Sequence, residues 1–402
     1  MAPENNRALL FIFITVLIDV MGLALVIPVL PTMVREIHGG DIAEASRIVG
    51  WLTFAYAAMQ FLFAPVVGAL SDRYGRRPVL LASLCAFGLD YILMGLAPTV
   101  GWLFLGRLIA GMTGASFTTA SAYIADVSTP EKRAQNFGLL GAAFGLGFII
   151  GPVIGGLLGQ FGSRIPFFAA ACLAMANMLY GYFILPESLA PGNRRYFDWG
   201  RANPLGSLKH LAKYPLVKRL VLPFVLVFIA GHANQSTWTF YTIEKFDWNE
   251  QWVGYSLGAV GVAVAIVQGG LIRIVIPRFG QARSAYAGLF FFTVSFALFA
   301  FATEGWMMFL FIIPSALGGF TVPALQGIIS GHVPPNEQGE MQGALTGLIS
   351  LTSIFGPLLM TYLFSRFSGA EAPFYFPGAP FLAASFFSLA SLILIYRALR
   401  RS

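Results

Sequence analysis

Apolar runs long enough to cross a hydrocarbon core, which takes about 20 residues each, follow one another along the chain with polar joints between them. They lie near residues 8–30, 48–70, 78–97, 102–125, 134–159, 165–185, 219–243, 252–276, 285–302, 306–329, 341–364 and 379–396. In lipid every backbone N–H and C=O must be satisfied within the protein, so runs of this length predict helices. Twelve of them in 402 residues leave no length for a separate soluble domain. Composition points the same way, with 57% of residues hydrophobic and 11% charged, where a soluble domain carries roughly 25% charged residues. The expected fold class is all-α integral membrane, with twelve transmembrane helices. Most water-soluble folds are excluded.

A formal charge of +7 would by itself fit an anionic partner such as nucleic acid, so its placement decides. Nineteen of the 25 Lys and Arg fall in the termini and the alternate joints on their side, five fall in the opposite joints, and Arg107 lies within the fourth span. Short positive loops stay on the cytoplasmic side, which makes both termini cytoplasmic and the surplus charge a topology signal. The expected partner is the lipid bilayer, and nucleic acid is not expected. Cys85 and Cys172 both sit in apolar stretches and offer neither a disulfide framework nor a metal site.

The longest joint, 187–216, is rich in Pro, Gly, Asn and basic residues and divides the chain into N-terminal (1–186) and C-terminal (217–402) six-helix bundles. The halves read as repeats. Arg73 and Gly75 recur as Arg278 and Gly280, Pro130 as Pro335, Gly138 as Gly343 and Gly151-Pro152 as Gly356-Pro357, all at an offset of 205, while Val49-Gly50 recurs as Val253-Gly254 at 204. A near-constant shift across separated places indicates duplication. Halves that each cross an even number of times are parallel, pseudo-symmetric repeats about an axis along the membrane normal, with a cavity expected between them.

Charges inside spans are the next constraint, because an Asp at a helix centre costs about 2.5 to 3.5 kcal/mol on insertion scales. Asp19 in the first span and Asp90 in the third are the carboxylates well inside any span. A cost of that size favours function over accident, and burial disfavours the charged carboxylate, so these acids are expected to load protons. Arg107 is the buried cation; it either neutralises one Asp or switches a carboxylate between charged and protonated forms. The second half carries milder groups: His232, Asn234 and Gln235 in the seventh span, Gln268 in the eighth and Gln326 in the tenth. Gln60 in the second span joins them, and for amides of this kind interhelical hydrogen bonding and substrate contact stand open together. Tyr91, Trp238 and Tyr241 are further candidates for a cavity lining.

The joint after the second span reads Gly68-Ala69-Leu70-Ser71-Asp72-Arg73-Tyr74-Gly75-Arg76-Arg77-Pro78. Gly68 permits close backbone approach, Gly75 a positive φ, and Pro78 suits the first turn of a helix. In the fifth span Gly147, Gly151, Gly155 and Gly159 recur every fourth residue, alongside Gly138, Pro152 and Gly156, so one face is nearly bare backbone and can approach a neighbour closely.

The joint resembles the signature loop of the major facilitator superfamily. That resemblance implies the two-bundle fold and a cytoplasmic latch in which Asp72 and Arg73 act together with Asp126 at the end of the fourth span; Gly68, Gly75, Arg76 and Arg77 complete the gate. The equivalent loop of the second half has Pro277 where the counterpart of Asp72 would stand, which implies an asymmetric latch. The glycine pattern of the fifth span is similar to the antiporter motif of the superfamily's drug-exporting branch and implies export. Arg107-x3-Gly111-x2-Gly114-Ala115 is similar to the motif associated with proton transfer in the fourth span.

Across essentially the whole chain the sequence resembles the tetracycline/proton antiporters, carried by Asp19-Val20-Met21-Gly22 with Pro28-Val29-Leu30-Pro31, Met59-Gln60 with Ala64-Pro65, Leu89-Asp90-Tyr91, Phe144 to Pro152 and Pro323 to Gly327. By that resemblance Asp19 and Asp90 match functional carboxylates, Gln60 and Gln268 cavity glutamines, and Arg73 the loop arginine. The chain departs from the pattern in having Val264 where the family places a functional His and Phe292 where it places an Asp. The implied function is proton-coupled export of small amphipathic compounds, multidrug or tetracycline-like, by alternating access, from a monomer in a bacterial inner membrane; solute uptake is the alternative. Partners are then a small-molecule substrate and protons, and no cofactor or metal is expected. No HExxH, Walker or GxSxG pattern appears, and His38, His210, His232 and His332 are scattered, so neither an enzyme nor a receptor is expected.

Overall fold

The computed structural model describes residues 6–114, 116–128, 133–194, 214–334, 337–369 and 372–400, and among them all regular secondary structure is helical. In the first half the helices are α1 (Asn6–Leu25), α2 (Leu30–His38), α3 (Ile42–Tyr74), α4 (Arg76–Gly95), α5 (Val100–Thr113), α6 (Ser116–Val127), α7 (Arg133–Gly159) and α8 (Ile165–Ile184). In the second they are α9 (Pro215–Phe246), α10 (Glu250–Ile266), α11 (Ile272–Phe279), α12 (Gln281–Phe301), α13 (Gly305–Leu317), α14 (Thr321–Gly331), α15 (Gln338–Ser368) and α16 (Ala379–Arg400). Eleven helical segments among the described residues are long and apolar enough to cross a membrane, and a bent pair, α1 with α2, brings the number to twelve.

Four expected spans are not single regular helices; the fourth stops at Gly114 between α5 and α6. The first breaks by 45° between α1 and α2, where Pro28 supplies no N–H to continue the ladder. The tenth is interrupted by a short tight turn at Gly318–Phe320. The eighth, from α10 to α11, passes through a π-helical turn at Val267–Leu271. Most of the joint expected at 187–216, together with Pro130 and Pro335 of the repeat, lies outside the described residues.

The backbone carries the repeat. Gly75 at φ 107° caps the start of α4 and Gly280 at φ 79° caps the start of α12, a conformation open to glycine at no steric cost. Pro152 and Pro357 both stand inside their helices, α7 and α15.

The chain forms two compact units. The first comprises Met1–Gly39, Ala55–Asn203 and Asn249–Gly258, the second Gly40–Phe54, Pro204–Trp248 and Ala259–Ser402, so α3 and α10 each contribute to both.

In the first unit α1 is the centre, packed on α6, α7 and α8. Phe11, Ile12, Val16 and Val20 of α1 meet Leu84, Tyr123, Ile124 and Leu140 in its core. The glycine stripe of α7 faces α1: a Cβ at Gly147 would stand 2.8 Å from that of Val20, and one at Gly151 2.7 Å from that of Ala24. At Gly155 it would stand 2.8 Å from the carbonyl carbon of Leu25 and closer still to its oxygen. The first turns of α10 approach the same helix, with Gly254 placed so that a Cβ would lie 2.5 Å from the carbonyl oxygen of Pro152. Thr32 of α2 donates to Glu250 at 2.6 Å.

In the second unit α9 packs on α15 and α16. Its core joins Val217, Leu220 and Phe224 to Leu289, Ile328, Leu345 and Ile395, and Ser391 of α16 donates to the carbonyl of Pro223 at 3.0 Å. The first turns of α3 lie on α15, where a Cβ at Gly50 would meet Thr361 Cβ at 3.1 Å and Ser46 donates to the Thr361 carbonyl.

The packing predicts a contrast along one helix. Gly155→Ala drives a methyl into the α1 backbone and is expected to cost roughly 1–3 kcal/mol, read as a lowered unfolding temperature of the purified protein. Gly145→Ala, where a Cβ meets nothing within 4 Å, is expected to leave that temperature unchanged.

Candidate functional site

Asp90 sits five residues before the end of α4 and Arg107 near the middle of α5, helices packed against each other. Their side chains form a hydrogen-bonded ion pair, with the carboxylate fully buried and the guanidinium 15% exposed. The same guanidinium nitrogen lies 2.8 Å from the sulfur of Met94. The pair is incompletely satisfied: Asp90 Oδ1 and Arg107 Nε are buried without a hydrogen-bond partner among the described residues. Gly106 leaves the space beside Oδ1, since a Cβ there would stand 2.5 Å from it. Ionised, Asp90 holds the arginine; protonated, it becomes a neutral donor at the vacant oxygen and releases the cation.

Two tyrosines complete the cluster. The Arg107 guanidinium lies 5.5 Å from the centroid of the Tyr56 ring, within cation–π range. Gln60, one turn beyond Tyr56 on α3, donates to the Tyr56 hydroxyl at 3.2 Å and to the Gly114 carbonyl at 3.0 Å. Tyr91 is 3% exposed and stacks on Phe87, and its hydroxyl end faces Gly22 of α1. Asp19 on α1 is half-buried and stands one helical turn before Gly22, where Tyr91 meets that helix. The structure thus gathers Asp19, Gln60, Asp90, Tyr91 and Arg107 from four helices. Tyr56 was not singled out from the sequence, although its spacing of four from Gln60 places both on one helix face.

The loop expected to form a latch is built around Arg76. Its guanidinium pairs with Asp72 at 2.6 Å and with Asp126 at 3.1 Å, and it donates to Ser71 at 2.6 Å. Arg73 instead lies over the ring of Tyr74, 5.1 Å from its centroid. Arg77 donates to the Tyr182 carbonyl at 2.6 Å. A further acid organises the turn: Glu187, just past α8, accepts from the backbone N–H of Arg76 at 2.8 Å and of Arg77 at 3.3 Å. A carboxylate there caps the exposed N–H groups and the positive end of α4. Gly75 is the residue that admits it, because a Cβ would stand 2.8 Å from the Glu187 carboxyl carbon. Nothing around Gly68 comes within 4 Å of where its Cβ would be.

In the second unit the candidates do not converge. Asn234 lies 3.5 Å from Ser315 through its amide nitrogen, and its carbonyl oxygen is buried without a partner. His232 is 6% exposed. Gln235 and Gln268 are exposed, the latter within the π-helical turn, and Gln326 is half-buried. Trp238, expected to line a cavity, is 2% exposed and packs edge-on against Phe299 and Phe381 in an aromatic cluster that also takes in Tyr241. Among the described residues no three His, Cys, Asp or Glu side chains gather as a metal site. In the fifth-span set, Gly138 stands in α7 and Gly156 faces Glu250.

The Major Facilitator Superfamily model matches residues 12–313 and 271–402. The class C tetracycline resistance protein of Escherichia coli is 42% identical over 90% of this chain and 91% of its own length. The class G tetracycline resistance protein of Vibrio anguillarum is 39% identical over 88% and 89%. Among solved structures, that of the nucleoside transporter NupG superposes with a TM-score of 0.75 at 13% identity, covering 98% of this chain and 98% of that one. With its fold, its repeated turns and these relatives together, the chain belongs to the major facilitator superfamily, within the family of the tetracycline resistance proteins.

Proposed function

We propose that this chain is a proton-coupled secondary transporter that exports small amphipathic compounds across a bacterial inner membrane by alternating access. The observation that carries the reading is the buried Asp90–Arg107 pair with one carboxylate oxygen left vacant. Removing one partner of a buried pair is costly, about 3–5 kcal/mol, so protonation of Asp90 in place cannot be silent: it must be met by movement of Arg107. Tyr56 offers the freed guanidinium a second seat. Asp19, one helical turn from the contact of Tyr91 with Gly22, is the other acid that competes for the cation or for substrate. Substrate and proton then exclude one another, as exchange requires.

The relatives named as tetracycline resistance proteins support a tetracycline-like or broader amphipathic cargo, with Val264 and Phe292 setting this chain's own preference. Phe292 stacks on Phe296 and lies against Gly318, an apolar surface. A glycine-bare α7 seated on α1 favours export over uptake. We take the working form to be a monomer and Arg76 to be the hub of the cytoplasmic gate, since it bonds Asp72, Asp126 and Ser71 together.

Flux in inverted vesicles under an imposed pH gradient tests the main reading. Asp90→Asn and Asp19→Asn are expected to abolish proton-driven accumulation of tetracycline–Mg²⁺ or of a cationic dye while leaving counterflow intact. Unchanged proton-driven flux in both variants, or flux with the proton rather than against it, would overturn it. For the gate, Arg76→Gln is expected to slow transport more than Arg73→Gln at equal expression, measured as initial rates in the same vesicles. An equal or larger loss in Arg73→Gln would move the hub to that residue.

A further inference from the structure

We propose that His232 is a second proton-binding site of the transport cycle, situated in the second unit and separate from the Asp90–Arg107 pair; the proposal rests on the proton-coupled reading above. His232 stands 17 residues into α9 and 14 before its end, so about 20 Å or more of helix separates it from either terminus at 1.5 Å per residue. The ring is 6% exposed, and neither nitrogen has a hydrogen-bond partner among the described residues. Gln235 is its polar neighbour, yet no hydrogen bond of proper geometry joins them. A neutral imidazole has one donor and one acceptor, and leaving a buried polar group unmet costs about 1–3 kcal/mol. A leucine would fill the space without that cost.

The seat is shaped for this side chain. On α15 a Cβ at residue 356 would stand 2.7 Å from the imidazole Cγ and 3.1 Å from Nε2, so the ring fits because the residue is Gly356. Pro357 follows within the helix and removes one backbone hydrogen bond at the same level, which lets α15 bend there. On α9, Gly231 precedes the histidine with open space around it.

Among the described residues, no charge on the helices packed against α9 stands at the level of this ring. The helices packed on α9 are α14, α15 and α16, and Asn234 reaches α13. The charged residues of α15 are Glu340 in its first turn and Arg366 in its last, and those of α16 are Arg397 and Arg400 in its last turn. Helices α13 and α14 carry none. The remaining titratable groups on these helices are Tyr362 and Tyr396, both exposed. On α9 itself Lys218, Arg219, Glu244 and Lys245 lie towards the ends. Histidine is the side chain whose ordinary titration spans the physiological range. Seated against Gly356 the ring is neutral. Once α9 and α15 part and water enters, a ring-nitrogen lone pair takes up a proton. The imidazolium, charged and donating at both nitrogens, must return that proton before the helices can close on it.

Full-length protein labelled with ¹⁵N-histidine in lipid nanodiscs tests the site without any substrate. The signal missing from His232→Gln identifies the residue, and it is expected to convert from neutral ring to imidazolium as the pH is lowered. In Gly356→Ala, whose added methyl displaces the ring, its midpoint is expected to move towards the ordinary histidine value of about 6.5. A ring that stays neutral throughout in both proteins overturns the proposal. In proteoliposomes loaded with tetracycline–Mg²⁺, His232→Gln is expected to lose the acidic limb of the transport pH profile and keep counterflow; an unchanged profile also overturns it. Failure of the wild-type protein to move any probe against protons would strike at the export reading, leaving the histidine titration to be judged by the spectra.

Discussion

Close approach of backbone to backbone is what the architecture depends on. In hydrocarbon a leucine gains little by leaving lipid for another leucine, so helices associate through packing and a few polar bonds rather than through escape from water. The α7 glycines supply that packing: along successive turns Gly147, Gly151 and Gly155 set the helix directly on α1. Because α1 is also the helix that carries Asp19 and faces Tyr91 through Gly22, its position fixes the geometry around the acids. A spacing that looks purely structural is therefore also what holds the acids, the arginine and the tyrosines within reach of one another.

Much of this was legible from the sequence, for a physical reason. Lipid demands long apolar helices, and long apolar helices are visible as runs of letters; all twelve expected spans correspond to helical segments or to the bent α1–α2 pair. What the letters did not show were interruptions within an apolar run. Pro28 lay inside the first span, and nothing in composition separates a kinked helix from a broken one. The π-helical turn at Val267–Leu271 reads as ordinary helix, since its residues are as apolar as their neighbours. Asp90 with Arg107 was foreseeable because charges in lipid must find each other. The ion pairs of the loop after α3 were less so. Which of three arginines in one loop takes both Asp72 and Asp126 is set by the turn at Gly75 and the start of α4, and the sequence pointed to Arg73 where the side chain on both acids is Arg76. Glu187 was missed since its partners are backbone N–H groups, which leave no mark in a sequence.

The two units divide their chemistry unequally. The first holds an ion pair, a further acid and two tyrosines in one connected cluster; the second holds amides and a histidine on separate surfaces. Duplication supplied the same scaffold twice, with the same glycine turn before α4 and α12, yet only one copy carries carboxylates in its span interiors. Similar helices have thus been put to different electrical use, one copy expensive to bury and the other nearly neutral.

The π-helical turn also explains an arithmetic oddity of the repeat. Matching residues are 204 apart at Val49-Gly50 and Val253-Gly254 but 205 apart at Arg73 and Arg278, so the second copy is one residue longer between Gly254 and Arg278 than the first is between Gly50 and Arg73. The wide turn at Val267–Leu271 lies within that interval, and a helix absorbs a single extra residue as such a turn. The wide turn takes up the extra residue ahead of the glycine turn at Gly280, the twin of that at Gly75, and leaves Gln268 on a stretch of backbone that α3 does not possess.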